Sequence, residues 1–507
     1  MIIFGICISH NASLCVVEDG EVVFYCEEER LSHQKNHDYD VSRSFLNAIE
    51  HYQPDHVVFT YSRPEKLDID EMLKPYHHLI KKEFQVWNMH NHHDTHAYIA
   101  YLNSGFDECG VLVIDGAGDS YEIDNEIWRE CETIYSVKSH NQYEVLHKNL
   151  FLGSDDISFG KIFNKVGRYL FNNGLQAGKV MGLSAYGFDD PNDPNAFVDG
   201  RPSQHFLDSM PNMKNENIAY RVQHDSFEPT CDLISQTVEM SESRNICLVG
   251  GYFLNCVNNY KYLKRFPGIK FYVEPNSSDA GTSIGVARWL WHHLTDDKTK
   301  RPIDTLYLGT DANYDRDLLN GEKEYAVTPR QVAELIAEKN VVALYQGRSE
   351  SGPRALGNRS ILYDPRDPKG RDVVNTIKKR EYFRPFAGSV LEECASEWFD
   401  MATLESSPYM MFATPSLPEK KHLVPALQHN DGTSRIQTVN ASQNLNYYNL
   451  ISEFYEITGV PMVLNTSFNL AGDTLVDNMQ DALRTCRDAK IPYLYCPERK
   501  MMIEFSI

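Results

Sequence analysis

The sequence predicts a two-domain protein of mixed α/β and α+β class. Three observations carry that expectation. A chain of 507 residues at 42% hydrophobic composition is too long for one core and too apolar for general disorder. Its first half contains separate apolar strand runs, each leading into a polar or glycine-rich turn. Near residues 292–304 the texture changes to HHLTDDKTKRPID, which is polar, charged and interrupted by proline, so domains of 1–303 and 304–507 are expected.

Taken in order, IIFGICIS and ASLCVVE read as strands, and the Asp19-Gly20 pair before EVVFYCEEE is a strong hairpin signal. A strand, a polar tip at Ser9 to Ser13 and a hairpin resemble the start of each half of the actin-like ATPase sheet, where that tip approaches phosphate. CGVLVIDGAGDSYE predicts a further strand ending in Asp115-Gly116-x-Gly118, and NICLVGGYFLNCVNN another ending in Gly250-Gly251. Glycine turns let backbone amides come close to an anion. In the second half VTPRQVAELIAEK predicts a capped amphipathic helix, VVALYQG a strand, and NLNYYNLISEFYEITG a helix stopped at Gly459. No internal repeat or low-complexity tract is visible in the sequence.

Composition excludes several classes. No run of about 18 apolar residues exists, and MIIFGICISHNAS lacks the basic flank and cleavage site of a signal peptide, so a cytoplasmic protein with no membrane partner is expected. Eleven cysteines without a C-x-x-C pair suit reduced thiols serving as small core residues. The formal charge of −22 repels nucleic acid on average. Between Arg348 and Arg384, however, ten Lys or Arg face five acids. That local excess predicts either a pocket for anionic ligands or a solvated basic face.

The stretch NHHDTHA holds His92 and His96 four residues apart, a spacing that on a helix puts both imidazoles on one face. This is either a metal site or a wet helix edge. It is not the metalloprotease pattern, because His93 stands where H-E-x-x-H requires Glu. Asp115 at a strand end and Asp279 in NSSDAGTSIG would complete a two-histidine, two-carboxylate set, which suits an iron(II)- or manganese-like ion with open positions.

These motifs and others form an ordered set that resembles one family over essentially the whole chain. SHNASLCVVEDGEVVFYCEEERLSHQK, NHHDTHA, VLVIDGAGD, GKVMGLSAYG, GGYFLNCVNN and SSDAGTSIG resemble the N-terminal domain of the NodU/CmcH-type (TobZ-like) O-carbamoyltransferases. GRSESGPRALGNRSILYDPR, IKKREYFRPFAGSVL, SSPYM, DGTSRIQTV and VPMVLNTSFNLAGDTLV resemble the C-terminal domain. The resemblance implies an actin-like ATPase (ASKHA) fold followed by a YrdC-like domain. It implies ATP and carbamoyl phosphate as co-substrates, with Mg2+, and a carbamoyl-adenylate made in the second domain. It also implies a divalent metal, Fe2+ before Mn2+ or Zn2+, held by His92, His96, Asp115 and Asp279 where the carbamoyl group passes to an acceptor hydroxyl.

By the same resemblance, Arg354, Lys378, Arg384 and Arg435 hold phosphates and the carbamoyl anion, and Asn465 and Ser467 contact the nucleotide and the carbamoyl group. Gly178, Lys179 and Gly182, with Gly250, Gly251 and Asn255, match nucleotide-cradling loops. His10 matches the candidate base toward the acceptor, and Lys35 a residue that steers the adenylate or acceptor. Many relatives carry His-Asp at this tip, whereas this chain has His10-Asn11, so no role leaning on that carboxylate transfers. Glu27-Glu28-Glu29-Arg30 is read as structural support, and His33, His37, His77, His78 and His93 as surface or packing residues.

The acceptor implied is a sugar- or antibiotic-type small molecule, or a hydroxymethyl group on a pyrimidine nucleotide or in DNA. The chain is shorter than many relatives between residues 120 and 240, which favours an open cleft and a bulky acceptor. Oligomeric state is left open, a homodimer included. The alternative readings are threonylcarbamoyl or hydrogenase-maturation carbamoylation, the latter lacking its C-x-x-C segments here, and a non-catalytic actin-fold protein, which leaves the arginine-rich second half unexplained.

Overall fold

The computed structural model of the chain describes residues 1–61, 69–89, 91–152, 157–319 and 321–506. The chain forms two compact units. Unit 1 comprises Met1–Ser32, Asn36–Asn255 and Arg265–Ile303, and unit 2 comprises His33–Lys35, Cys256–Lys264 and Asp304–Ile507. The division is therefore discontinuous: two short stretches of the first half, one of them carrying Lys35, cluster with unit 2.

Unit 1 is built on two sheets. In the first, β1 (Ile2–Ile8), β2 (Ser13–Glu18), β3 (Glu21–Glu27), β4 (His56–Tyr61) and β5 (Gln85–Met89) lie in the order β3-β2-β1-β4-β5. The β1–β2 and β2–β3 pairs are antiparallel, and β1–β4 and β4–β5 are parallel. Asp19 and Gly20 turn the hairpin with positive φ at both positions. The second sheet is formed by β6 (Cys109–Ile114), β7 (Ser120–Ile123), β8 (Glu126–Ser139), β9 (Gln142–Leu152), β10 (Asn245–Val249) and β11 (Lys270–Val273). It runs β11-β10-β6-β8, with β7 and β9 both pairing β8. Here β6–β8 and β8–β9 are antiparallel, while β6–β10 and β10–β11 are parallel.

Each sheet thus sets a first strand between an antiparallel neighbour that belongs to a hairpin and a parallel neighbour that leads to another. The topology is used twice although the sequence shows no repeat. Strand pairing depends on which positions are apolar, and two sequences can share that pattern without sharing residues. The central strands β6 and β10 are apolar nearly throughout because both of their faces are covered.

Two helices matter for the site: α1 (His92–Ser104), between β5 and β6, and α3 (Thr282–Thr295), after β11, with the short helix α2 (Ala177–Ser184) between them in the chain. A Cβ on Gly285 of α3 would stand 2.3 Å from the Thr95 carbonyl oxygen of α1, so only glycine permits this helix crossing. Ten of the thirteen α1 residues are buried, which makes it a core helix and not a wet edge.

Unit 2 holds a nine-stranded mixed sheet. Its strands are β12 (Lys323–Ala326), β13 (Val342–Tyr345), β14 (Arg359–Tyr363), β15 (Ala387–Leu391), β16 (Ala413–Pro415), β17 (Thr433–Val439), β18 (Met462–Ser467), β19 (Tyr493–Cys496) and β20 (Met501–Glu504), in the order β12-β20-β19-β13-β14-β18-β15-β17-β16. The predicted helices form. In α4 (Pro329–Ala337) Thr328 and Gln331 make a capping box, and the helix α6 (Leu445–Thr458) ends at Gly459 with φ of 69°. Between them in sequence lies α5 (Gly370–Ile377), which leads into Lys378 and the basic run.

All eleven cysteines are free thiols, ten of them buried, in keeping with the core role expected of them. Among the described residues no helix is long and apolar enough to cross a membrane.

Candidate metal centre and anion site

The metal candidates converge from three elements of unit 1. His92 and His96 sit one turn apart at the start of α1, Asp115 follows the last residue of β6, and Asp279 opens the turn before α3. One ligand atom from each of the four lies within 4.8 Å of the others, and all four residues are buried. His92 Nε2 is 3.5 Å from Asp115 Oδ2 and 3.6 Å from Asp279 Oδ1, and His96 Nε2 is 3.8 Å from the same Asp279 oxygen. None of the four ring nitrogens of His92 and His96 has a hydrogen-bond partner among the described residues.

Leaving a buried polar atom unsatisfied costs about 1–3 kcal/mol, and two of these nitrogens, the Nε2 atoms, face two carboxylates in an arrangement that a cation would complete. The residues present therefore fit a divalent metal of the nitrogen- and oxygen-binding kind.

Charge in this cluster is strongly coupled. Burial works against a charged His92, but Asp279 and Asp115 outweigh it and push the imidazole well above its ordinary value. Burial likewise opposes a charged Asp279, yet His10, His92 and His96 hold its carboxyl well below the usual carboxylate range. Neighbouring groups fix the ligands in place. Gly251 N–H donates to Asp115 Oδ1 at 3.2 Å, and the His92 backbone N–H donates to Asp119 Oδ2 at 2.8 Å, so the DGAGD turn both supplies a ligand and caps the helix that carries two more. His10, on the polar tip after β1, sets Nδ1 3.3 Å from Asp279 Oδ2 with its side chain 46% exposed.

Unit 2 gathers the predicted cations. Arg435 on β17 and Asn465 on β18 flank β15, both registered opposite Ala387. Lys378 is buried, and its ammonium donates to Ser467 Oγ at 3.2 Å, Asn469 O at 2.9 Å and Asn469 Oδ1 at 3.0 Å, as well as to the Ser467 carbonyl. Burial, and after it the neighbouring Arg435 and Arg384, lower Arg354 to about 9. Lys378 is pushed well below its ordinary value by burial and then by Arg380 and Arg384. A guanidinium stays protonated in practice. Such shifts therefore reflect first how deeply these cations are buried and then the like charges beside them. Glu381 lies 3.8 Å from Arg384 and forms an ion pair with it.

Comparison with known proteins follows this geometry. Residues 333–502 match the family model described as Carbamoyltransferase C-terminus. The nodulation protein NolNO of Sinorhizobium fredii is 30% identical across 94% of this chain and 76% of its own. The chain belongs to the NodU-type carbamoyltransferase family. The nodulation protein NolO of Bradyrhizobium diazoefficiens is 31% identical over 78% of this carbamoyltransferase and 75% of its own length. Among solved structures, HypF of T. kodakarensis is similar at 14% identity and a TM-score of 0.38 over 59% of this chain and 48% of its own, too distant to argue from.

Other expected site residues of this carbamoyltransferase fall as follows. Gly178, Lys179 and Gly182 lie on the helix α2, not in a loop, which corrects the expected cradle: an apolar, short-side-chained run needs no turn here and winds into two helical turns. Lys179 Nζ lies 5.4 Å from the centroid of the Phe171 ring. Gly250 and Gly251 do form a turn beside Asp115. Gly250 has φ of 102°, and a Cβ there would meet the Ile114 carbonyl oxygen at 2.2 Å. The Asn255 side-chain amide is engaged in a reciprocal pair with Gln223, both bonds at 3.0 Å. Lys35 is exposed within unit 2, whereas His10 belongs to unit 1.

Asn465 is engaged within the protein itself. Its Nδ2 donates to Ala355 O, Ser389 Oγ and Gln437 Oε1, while its buried Oδ1 has no partner among the described residues. Glu28 accepts from the N–H groups of Arg43 and Ser44 and caps the helix Ser42–His51, a structural role for the Glu-Glu-Glu-Arg run. His93 is buried against Thr133 and Glu130, a packing residue.

Sequence reasoning missed Arg380. Its guanidinium lies 4.2 Å from the Phe386 ring centroid, and Nε donates to Asn375 Oδ1 at 2.5 Å, bracing the turn that carries Arg384. The only sequence signal was its place in IKKREYFRPF, where one cation looks like another.

Proposed function

We propose that this carbamoyltransferase works in two steps with carbamoyl phosphate and ATP. Unit 2, read as a YrdC-like domain, takes carbamoyl phosphate, which loses inorganic phosphate to water and leaves carbamate. The carbamate oxygen then attacks the α-phosphorus of Mg2+-bound ATP, the bond to the β-phosphate breaks, and pyrophosphate leaves, giving carbamoyl-adenylate. Arg354, Lys378, Arg384 and Arg435 grip the phosphates and the carbamate. Arginine suits this because its planar fork meets an oxyanion with two hydrogen bonds. Carbamate is a poor electrophile, and conversion to a mixed anhydride supplies a leaving group.

Unit 1, read as an actin-like ATPase fold, carries the second step: the acceptor hydroxyl attacks the carbamoyl carbon, AMP leaves with the bonding electrons, and the hydroxyl proton is taken up. The twice-used strand topology supports that reading of the fold. His92, His96, Asp115 and Asp279 would hold a divalent metal, which when bound supplies Lewis-acid stabilisation of negative charge on oxygen. His10 is the residue we assign to the proton, since its half-exposed imidazole is oriented by Asp279 and imidazole is the common side-chain proton carrier. Lys35 and the Gly178-Lys179 helix start remain assigned to the adenylate.

The observation that carries this reading is the coexistence, in one family member, of a buried two-histidine, two-aspartate cluster and a second cluster of buried cations. It is tested by incubating the protein with ATP and carbamoyl phosphate and measuring pyrophosphate, then adding sugars, aminoglycosides, hydroxymethylated nucleotides or hydroxymethylated DNA and following a mass gain of one carbamoyl group. Absence of carbamoyl-phosphate-dependent pyrophosphate would sink the first step. Absence of every mass gain would sink the acceptor classes.

A further inference from the structure

Glu350 opens the loop between β13 and β14 that carries Arg354. It is 2% exposed. A single oxygen, Oε1, accepts the backbone N–H groups of Leu356 at 2.8 Å, Asn358 at 2.8 Å and Arg359 at 3.1 Å. The other oxygen, Oε2, is buried with no hydrogen-bond partner among the described residues. The carbonyls of the same loop are held from the opposite side. Asn465 Nδ2 donates to Ala355 O at 3.1 Å, Tyr307 OH and Gln437 Nε2 donate to Leu356 O at 2.7 and 2.8 Å, and Gln346 Nε2 donates to Gly357 O at 2.9 Å. Residues 355–359 are thus fixed on both edges of the backbone, and Arg354 is the residue immediately before them.

This hold opposes a specific force. Arg354 is repelled by Arg435 and Arg384. A loop free to relax would carry Arg354 away from its like-charged neighbours. A carboxylate accepting several backbone N–H groups makes charge-assisted bonds, roughly twice as strong as neutral ones, and the inward amides have no water to turn to.

We propose that Glu350 is a positioning residue of the first step: by gathering three loop amides it keeps the Arg354 guanidinium among the other cations, ready for the carbamoyl phosphate anion. The proposal rests on the reading of unit 2 as the carbamoyl-phosphate site.

Carbamoyl phosphate is titrated calorimetrically into the full-length protein, in the presence of a non-hydrolysable ATP analogue, for wild type, E350M, E350Q, R354M and the E350M/R354M double variant. R354M and E350M should each weaken binding at least about tenfold, and the double variant should bind no worse than R354M alone, because both changes remove the same guanidinium contact. E350Q keeps an acceptor oxygen and should stay within about threefold of wild type. Folded E350M that binds like wild type overturns the proposal. So does a double variant that loses the product of the two single effects, which would mark a purely structural role. If E350M does not fold, E350D, whose acceptor is drawn back by one methylene, replaces it in the same cycle, with the same outcomes deciding. A wild-type protein that binds no carbamoyl phosphate overturns the reading of unit 2 and this proposal with it, whereas wild-type binding with unimpaired E350M overturns only the role of Glu350.

Discussion

Asp279 links two histidine groups of unit 1: its Oδ1 faces His92 Nε2 at 3.6 Å, and its Oδ2 faces His10 Nδ1 at 3.3 Å. One carboxylate therefore serves the buried ligand pair on α1 and the half-exposed imidazole on the tip after β1. A change at either histidine is felt through the same group, and the two can still be told apart by what each does.

Replacing His96 with Ala removes one of four ligands. The expected outcome is loss of bound metal, read by elemental analysis of the purified protein, and loss of acceptor carbamoylation by about 100-fold or more, while carbamoyl-phosphate-dependent pyrophosphate release stays near wild type. Loss of both steps together would refute the division of labour.

Replacing Arg435 with Ala, or Lys378 with Met, has the opposite signature. Pyrophosphate release should fall by about 100-fold or more, in the range seen when a preorganised charge-stabilising group is removed, and metal content should not change. Retained pyrophosphate release in both variants would remove these cations from the first step.

Lys378 also predicts a proton count. Burial and the adjacent arginines lower its folded pKa, so between that value and the ordinary one near 10.5 the unfolded chain holds more protons than the native protein, and native stability rises with pH through that window. An anion bound beside Lys378 reverses the depression. Binding of carbamoyl phosphate should therefore take up protons in the window between the lowered pKa and the ordinary one, and calorimetry in buffers of different ionisation enthalpy would show it. Proton uptake that persists in Lys378→Met would assign it elsewhere.

Gly250→Ala should fail through the backbone. A φ of 102° disfavours any side chain, and the added carbon would stand 2.2 Å from the Ile114 carbonyl oxygen, next to the ligand Asp115. A cost of about 3 kcal/mol is expected, lowering Tm by roughly 3–5 °C in a protein of this size. Metal retention should fall with it. A variant with unchanged melting would show that the turn can relax.

The spacing of His92 and His96, the strand before Asp115 and the turn after Asp279 were legible because each is a local pattern: a helical period, an apolar run, a glycine after a carboxylate. The hairpin at Asp19-Gly20, the capped helix at Thr328 and the stop at Gly459 were legible for the same reason. The helix at Gly178 was expected as a loop on the family resemblance, and here burial of Val180, Leu183 and Ser184 decides it. Glu350 and Arg380 could not be singled out. An acid among ten basic residues and one more arginine in a basic run acquire meaning only from the amides and charges around them.

By itself the sequence determined the chemistry on offer: which imidazoles and carboxylates could share a face, where cations accumulate in an acidic chain, and which segments become strands or helices. The tertiary structure alone decided that α1 is buried with His92 and His96 turned toward Asp115 and Asp279, that one strand topology is used twice, and that a single carboxylate holds the Arg354 loop. Local patterns depend on neighbours a few residues apart. Burial and convergence depend on residues that meet only after folding, such as His92 and Asp279, and no short stretch of sequence contains that distance.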